Sequence, residues 1–168
     1  MKAGIKAIDV YLALGSNLGE RETNINEAIK MLSMRLEPVK VSTLYETEPE
    51  GGAEQPLYLN QAAQFRTTLQ PMTLLTLVKG IEVKMGRNTP TGTPRVIDID
   101  IVFYGNEVVN TTDLVIPHPR LTSRAFVLVP LLEIAPDFVH PVEHKTVREL
   151  FWALKDKKGV RRWNRSDL

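Results

Sequence analysis

The sequence predicts an α+β fold, a mainly antiparallel sheet with helices packed on its faces. Three observations predict it. Short runs of alternating apolar residues, bounded by Gly, Pro and Asn, read as strands. Other stretches carry apolar residues at i, i+3, i+4 and i+7, the stripe of an amphipathic helix. The two kinds do not alternate strictly, as a parallel βαβ sheet would require, so hairpins mixed with helices are the better reading. The chain has 168 residues, 43% of them hydrophobic. That length suits one domain over residues 1–168 with a core of its own.

The elements follow in order. Ala7 to Leu14 is an apolar run closed by the loop Gly15 to Gly19, and it reads as a buried strand. Ile25, Ala28, Ile29 and Leu32 mark a helix. Val39, Val41, Thr43 and Tyr45 alternate through a strand over Val39 to Pro49, and Leu57 to Leu69 is another. Pro71 suits a helix first turn, Leu74, Leu75, Val78, Ile81 and Met85 follow, and Gly86 is the expected C-cap. A strand bearing Asp98 and Asp100 turns at Gly105-Asn106. Ser123 is the expected cap of a helix through Leu132, kinked at Pro130. Thr146 and Glu149 form a capping-box pattern before Leu150, Phe151 and Leu154.

Composition removes several function classes. The net charge of +1 gives no global pull toward nucleic acid or an anionic membrane, so any affinity for an anion must come from a local cluster. There is no cysteine, which excludes disulfides, thiolate catalysis and cysteine-ligated metal, and suits a reducing cytosol. Asp9 interrupts the N-terminal apolar run, so that run reads as a strand rather than a signal peptide. No stretch has the ~18 apolar residues of a membrane span.

The chemistry concentrates between Thr93 and Gly105. Aspartate is depleted in strands, yet Asp98 and Asp100 sit two apart on one face, while Ile97, Ile99 and Ile101 fill the other. Their Cα atoms would lie ~6.5–7 Å apart, a separation able to straddle a two-metal cluster of hard, oxygen-seeking ions. An acidic solvent face explains the spacing equally well. Arg87, Arg95, the "PHPR" segment and Arg124 flank the pair, and carboxylates with arginines are the general kit for a metal-bound polyphosphate. His118, between prolines, would be held on a stiff loop. Tyr58 and Asn60 share one strand face, an aromatic plate beside an amide that suits a flat heterocycle, although core packing accounts for both. "ALGSNLG" lacks the lysine of a phosphate loop. His140 and His144 lack a third ligand for zinc. The residues alone thus reach a Mg²⁺-dependent polyphosphate enzyme, with a two-metal phosphohydrolase and an RNA-binding module as rivals.

In order along the chain, "ALGSNLG", "STLYETEP", "QPLYLNQA", "IEVKMGR", "PRVIDIDIVFYGNEVV" and "IPHPRLTSRAFVLVPLLEIAP" resemble the 6-hydroxymethyl-7,8-dihydropterin pyrophosphokinases of the folate pathway. The resemblance implies a ferredoxin-like sandwich. It implies transfer of the β,γ-diphosphate of ATP, the co-substrate, to the pterin hydroxymethyl oxygen, with release of AMP. Asp98 and Asp100 would hold two Mg²⁺ ions. Arg87 and Arg95 would be catalytic and would contact ATP together with His118 and Arg124. Thr47, Tyr58, Asn60 and Phe126 would bind the pterin, with Gln55 in support. A cytoplasmic monomer with no nucleic-acid or membrane partner is expected. Many relatives have a longer loop before a Gly-Pro-Arg; here residues 88–94 are shorter, with Thr93 in the Gly position. That polar loop is expected to be mobile until MgATP orders it.

Overall fold

The computed structural model describes residues 5–50, 54–86 and 93–164. The first apolar run forms strand β1 (Ile8–Ser16), which becomes an inner strand of an antiparallel sheet. On one side it pairs with β5 (Asp98–Tyr104), and on the other with β4 (Tyr58–Thr67). β4 carries both β2 (Glu37–Val41) and β3 (Tyr45–Thr47) on its far edge. A short strand, β8 (Val160–Arg162), which the sequence pattern does not announce, extends the sheet from β3. A two-stranded ribbon, β6 (Val109–Asn110) with β7 (Val115–Ile116), stands apart.

The period-two alternation of the central strands gives each face its own core. Val10, Leu12, Leu14, Leu59, Phe65, Ile99 and Ile101 meet α1 (Arg21–Ser33) and α2 (Pro71–Lys84). Tyr11, Ala62, Val102 and Phe103 meet α3 (Ala125–Ile134) and α4 (Val147–Ala153) on the opposite face. Val102 and Phe103 can share a face because the β1–β5 register slips there, with Leu12 opposite Ile101 and Tyr11 opposite Phe103. The result is the ferredoxin-like α+β sandwich. No helix among the described residues is long and apolar enough to cross a membrane.

Two expectations are corrected. The strand over 39–49 is two strands, and β2 is exposed along its whole length, so Val39 and Val41 face solvent. The break falls at buried Ser42, whose hydroxyl stands in for a main-chain acceptor: the Ala62 N–H donates to Ser42 Oγ at 3.0 Å. The Ser42 N–H donates to the Ala62 carbonyl at 2.9 Å, and Gln61 Nε2 donates to the Ser42 carbonyl at 2.6 Å. Ser123 does not cap α3. It ends a 3₁₀ turn, Leu121–Ser123, its hydroxyl donates to the Arg120 carbonyl, and the helix begins after Arg124 with no side-chain cap. Pro130 lies inside α3, which continues to Ile134. The Thr146–Glu149 capping box is present in both directions, and Gly86 has the positive φ of a helix C-cap.

Ser42→Ala leaves the buried Ala62 N–H without its acceptor. Its expected cost is on the order of 1–3 kcal/mol in a denaturant titration; a loss within experimental error would mean that β2 and β3 are set by something other than this hydroxyl.

Candidate active site

The floor of the site is two rows of residues running across three strands. Asn60, Gly15 and Asp98 form one row, and Ala62, Ala13 and Asp100 the next. All six belong to the face covered by α3. The central positions are small for a reason: a Cβ added to Gly15 would lie 2.7 Å from Asn60 Oδ1, closer than real contacts allow. Gly15 is therefore a close-approach glycine in a strand, not part of a phosphate loop. Above the floor lies a cleft of about 390 Å³.

Every predicted site residue that falls among the described residues lines this cleft. Asp98 and Asp100 come from β5, with Arg95 just before it and His118 on the loop tied to it; Thr47, Tyr58 and Asn60 come from β3 and β4, and Arg124 and Phe126 from the start of α3. Arg87 and the loop through residue 92 lie outside the described residues, and with them the expectation about loop closure.

Burial and the neighbouring Asp98 carboxylate raise the Asp100 carboxyl from 3.8 to about 6. Arg95 Nη1 approaches Asp98 Oδ1 at 3.7 Å, too long for a tight pair. Two neighbouring carboxylates, one with its pKa raised, make a site that a cation would relieve. Among the described residues no group of three or more His, Cys, Asp or Glu is placed to hold a metal. Asp98 and Asp100 alone would leave most of a hard ion's coordination shell to substrate and water.

His118 sits on the loop after a cis Ile116–Pro117 peptide, tied to β5 by its N–H, which donates to the Val102 carbonyl at 3.1 Å. Its Nδ1 accepts from the Arg120 N–H at 3.2 Å. Burial, then Arg124 and Arg120, lower its pKa to about 4. The ring is therefore neutral at pH 7, with its proton on Nε2, the nitrogen 4.0 Å from Asp100 Oδ2. On the opposite wall, Asn60 Nδ2 donates to Thr47 Oγ1 at 2.5 Å, which fixes the amide within the cleft.

Sequence reasoning missed three contributors. Buried Asn17 staples the site: its Nδ2 donates to Gln55 Oε1 at 3.1 Å and to the Pro56 carbonyl at 3.2 Å, and its Oδ1 accepts from the Arg95 N–H at 2.7 Å. The Asn17 N–H also donates to the Arg95 carbonyl at 3.0 Å. Glu50 accepts both arms of the Arg124 guanidinium, at 3.1 and 2.9 Å, while that guanidinium also stands 5.3 Å from the centre of the Phe126 ring. Lys79 of α2 reaches the cleft wall and pairs with buried Glu82, which accepts from the Ile99 N–H between the two aspartates. The contacts of Asn17 with Gln55 and Arg95, of Glu50 with Arg124 and of Glu82 with Ile99 span 17 to 78 positions, so only the fold brings them together. Buried His140 accepts the Val142 and Glu143 N–H groups at Nδ1, closing a turn.

Residues 11–136 match the family model of 7,8-dihydro-6-hydroxymethylpterin-pyrophosphokinase, HPPK. A Bacillus subtilis 2-amino-4-hydroxy-6-hydroxymethyldihydropteridine pyrophosphokinase is 39% identical over 91% of this chain and 89% of its own length. The chain belongs to the HPPK family. The Aquifex aeolicus HPPK of the same name is 43% identical over 83% of this chain and 88% of its own. A folic acid synthesis protein of Pneumocystis carinii is 42% identical over 88% of this chain, which spans 20% of that longer protein. A Plasmodium falciparum HPPK-DHPS crystal structure with pteroate shares the fold at TM-score 0.75 and 18% identity, over 96% of this chain and 47% of that one.

The Asp100 shift has a pH signature. Between 3.8 and about 6 the native protein keeps a proton that the unfolded chain has released, so stability falls as pH rises through that window. The full penalty is present above pH 6. Asp100→Asn carries no such charge, so it is expected to raise the melting temperature most at about pH 8 and to lose that gain as pH drops toward 4. Melts of the ligand-free protein across this range check it; an equal gain at both ends would rule out charge as the cause.

Proposed function

We propose that this chain transfers diphosphate from ATP to 6-hydroxymethyl-7,8-dihydropterin, releasing AMP, as a step of folate biosynthesis. The observation that carries the reading is a cleft whose carboxylate and arginine groups stand with aromatic and amide groups over a floor in which only the small residues Gly15 and Ala13 separate β4 from β5. Such a cleft can hold a polyphosphate and a flat heterocycle together, which is what a transfer between them requires.

On the β5 wall, Asp98 and Asp100 would hold Mg²⁺, two ions in this reading, which supplies neutralisation of the polyphosphate oxygens when bound. Arg95 and Arg124, with Arg87, orient the same oxygens through planar forks. His118, neutral and protonated at Nε2, donates from that atom without adding charge. Asn17 fixes the backbone of Arg95 and so the root of its side chain. On the opposite wall, Tyr58 and Phe126 stack on the two faces of the pterin, and Asn60, braced by Thr47, reads its polar edge. Moving the β,γ-unit breaks the bond from the β-phosphorus to the oxygen it shares with the α-phosphorus, that oxygen leaving with AMP; it forms a bond from the pterin hydroxymethyl oxygen to the β-phosphorus and releases the hydroxyl proton. The walls therefore have to aim that oxygen at the β-phosphorus while excluding water, the competing acceptor. A cytoplasmic monomer acting on two small substrates is the setting we infer; the near-zero net charge gives nucleic acid no general attraction.

Product analysis tests the reading against the phosphohydrolase and RNA-binding alternatives. With MgATP and the pterin alcohol, AMP and the pterin diphosphate ester are expected in equal amounts; ADP or free phosphate, or no turnover, would refute it. Asp98→Ala and Asp100→Ala should each reduce transfer by several kcal/mol of barrier, on the order of a thousandfold, with the fold kept.

A further inference from the structure

Glu50 and Arg124 hold each other at the mouth of the cleft. Glu50 lies on the segment leaving β3, and Arg124 immediately precedes α3. The guanidinium donates from Nε to Oε1 at 3.1 Å and from Nη2 to Oε2 at 2.9 Å. This is the bidentate fork that arginine offers equally to a carboxylate and to a phosphate. Arg120 adds a looser contact to the same Oε2 at 3.6 Å. All three side chains line the cleft that would receive the polyphosphate.

The two partners are unequal. The Arg124 side chain is 9% exposed and that of Glu50 is 47% exposed. A cation so buried needs a counter-charge whether or not substrate is present, because uncompensated burial of charge is strongly unfavourable. The carboxylate, half in water already, can leave with little desolvation to reverse. A polyphosphate seated on the same fork would meet the Glu50 carboxylate as a like charge, so both cannot stay.

We propose that Glu50 is an internal counter-anion: it occupies the Arg124 fork until the nucleotide polyphosphate displaces it, and so sets how tightly this chain binds nucleotide. The inference rests on Arg124 being a polyphosphate ligand. Glu50 keeps the fork extended and aimed in the free protein, and it opposes binding by the free energy of the exchange. Its effect is confined to ligands that carry phosphate.

Calorimetry with the magnesium complex of α,β-methylene-ATP, whose α–β bridge cannot be cleaved, tests this on the whole chain. Glu50→Gln keeps the size and removes the charge, and is expected to tighten Kd about fivefold, the scale of a partly exposed ion pair. Glu50→Ala should act in the same direction. Adenosine, which lacks phosphate, should bind the wild-type and variant chains equally. Arg124→Ala should weaken the analogue. If Arg124→Ala weakens it while neither Glu50 variant tightens it, the counter-anion is refuted and the reading of Arg124 stands. If Arg124→Ala changes nothing, that reading fails and the counter-anion fails with it. Equal tightening of adenosine would mean that the Glu50 variants reshape the pocket generally, which also overturns the proposal.

Discussion

The antiparallel register of β1 between β4 and β5 is the constraint on which the rest depends. It places Gly15 opposite both Asn60 and Asp98, and Ala13 opposite both Ala62 and Asp100. Strands lie ~4.8 Å apart, so the outer residues of each row are separated by ~10 Å, with almost no side chain between them. A slip of one residue would turn the aspartates into the apolar core beneath α1 and α2. The core on that face, filled by Leu12, Leu14, Ile99 and Ile101, is thus what holds the carboxylates outward. Sheet stability and site geometry are one problem with one solution.

That solution carries electrostatic strain. The cleft gathers two neighbouring carboxylates, one of them with a raised pKa, beside arginines and a histidine held neutral. The arrangement suits a polyanion with its cations better than it suits an empty cleft. Internal partners hold these groups in place: Glu50 on Arg124, the Arg120 N–H on His118, and Asn17 on the Arg95 backbone. Each such contact positions a group that lines or supports the cleft.

Part of this was legible in the sequence because strand geometry is strict. Two aspartates at i and i+2 must share a face, and so must Tyr58 and Asn60, whatever the surrounding fold. The Thr146–Glu149 box could be read because both halves of its bonding are local. What escaped was set by distant pairing. Val39 and Val41 alternate as a buried strand would, yet both are exposed on β2, whose five residues all lie open to solvent. Ser123 looked like a cap, but the chain spends a 3₁₀ turn before α3 begins. Asn17 and Glu50 look like ordinary loop residues, and their partners lie 38 and 74 positions away. No pattern within a window of either residue encodes those bonds.

The claim that small residues on β1 keep the two walls apart and aimed is tested most directly at Gly15. A methyl group there must displace the Asn60 side chain, 2.7 Å away, and with it the bond from Asn60 to Thr47, while Asp98 and the arginines have no such contact. Binding of the pterin alcohol and of the magnesium complex of α,β-methylene-ATP to Gly15→Ala, measured separately by calorimetry, distinguishes the walls. The expected result is a loss of about tenfold in pterin affinity, the scale of one unpaired polar group, with nucleotide affinity nearly unchanged. Unaltered pterin binding, or equal losses for both ligands, would contradict the division of the cleft.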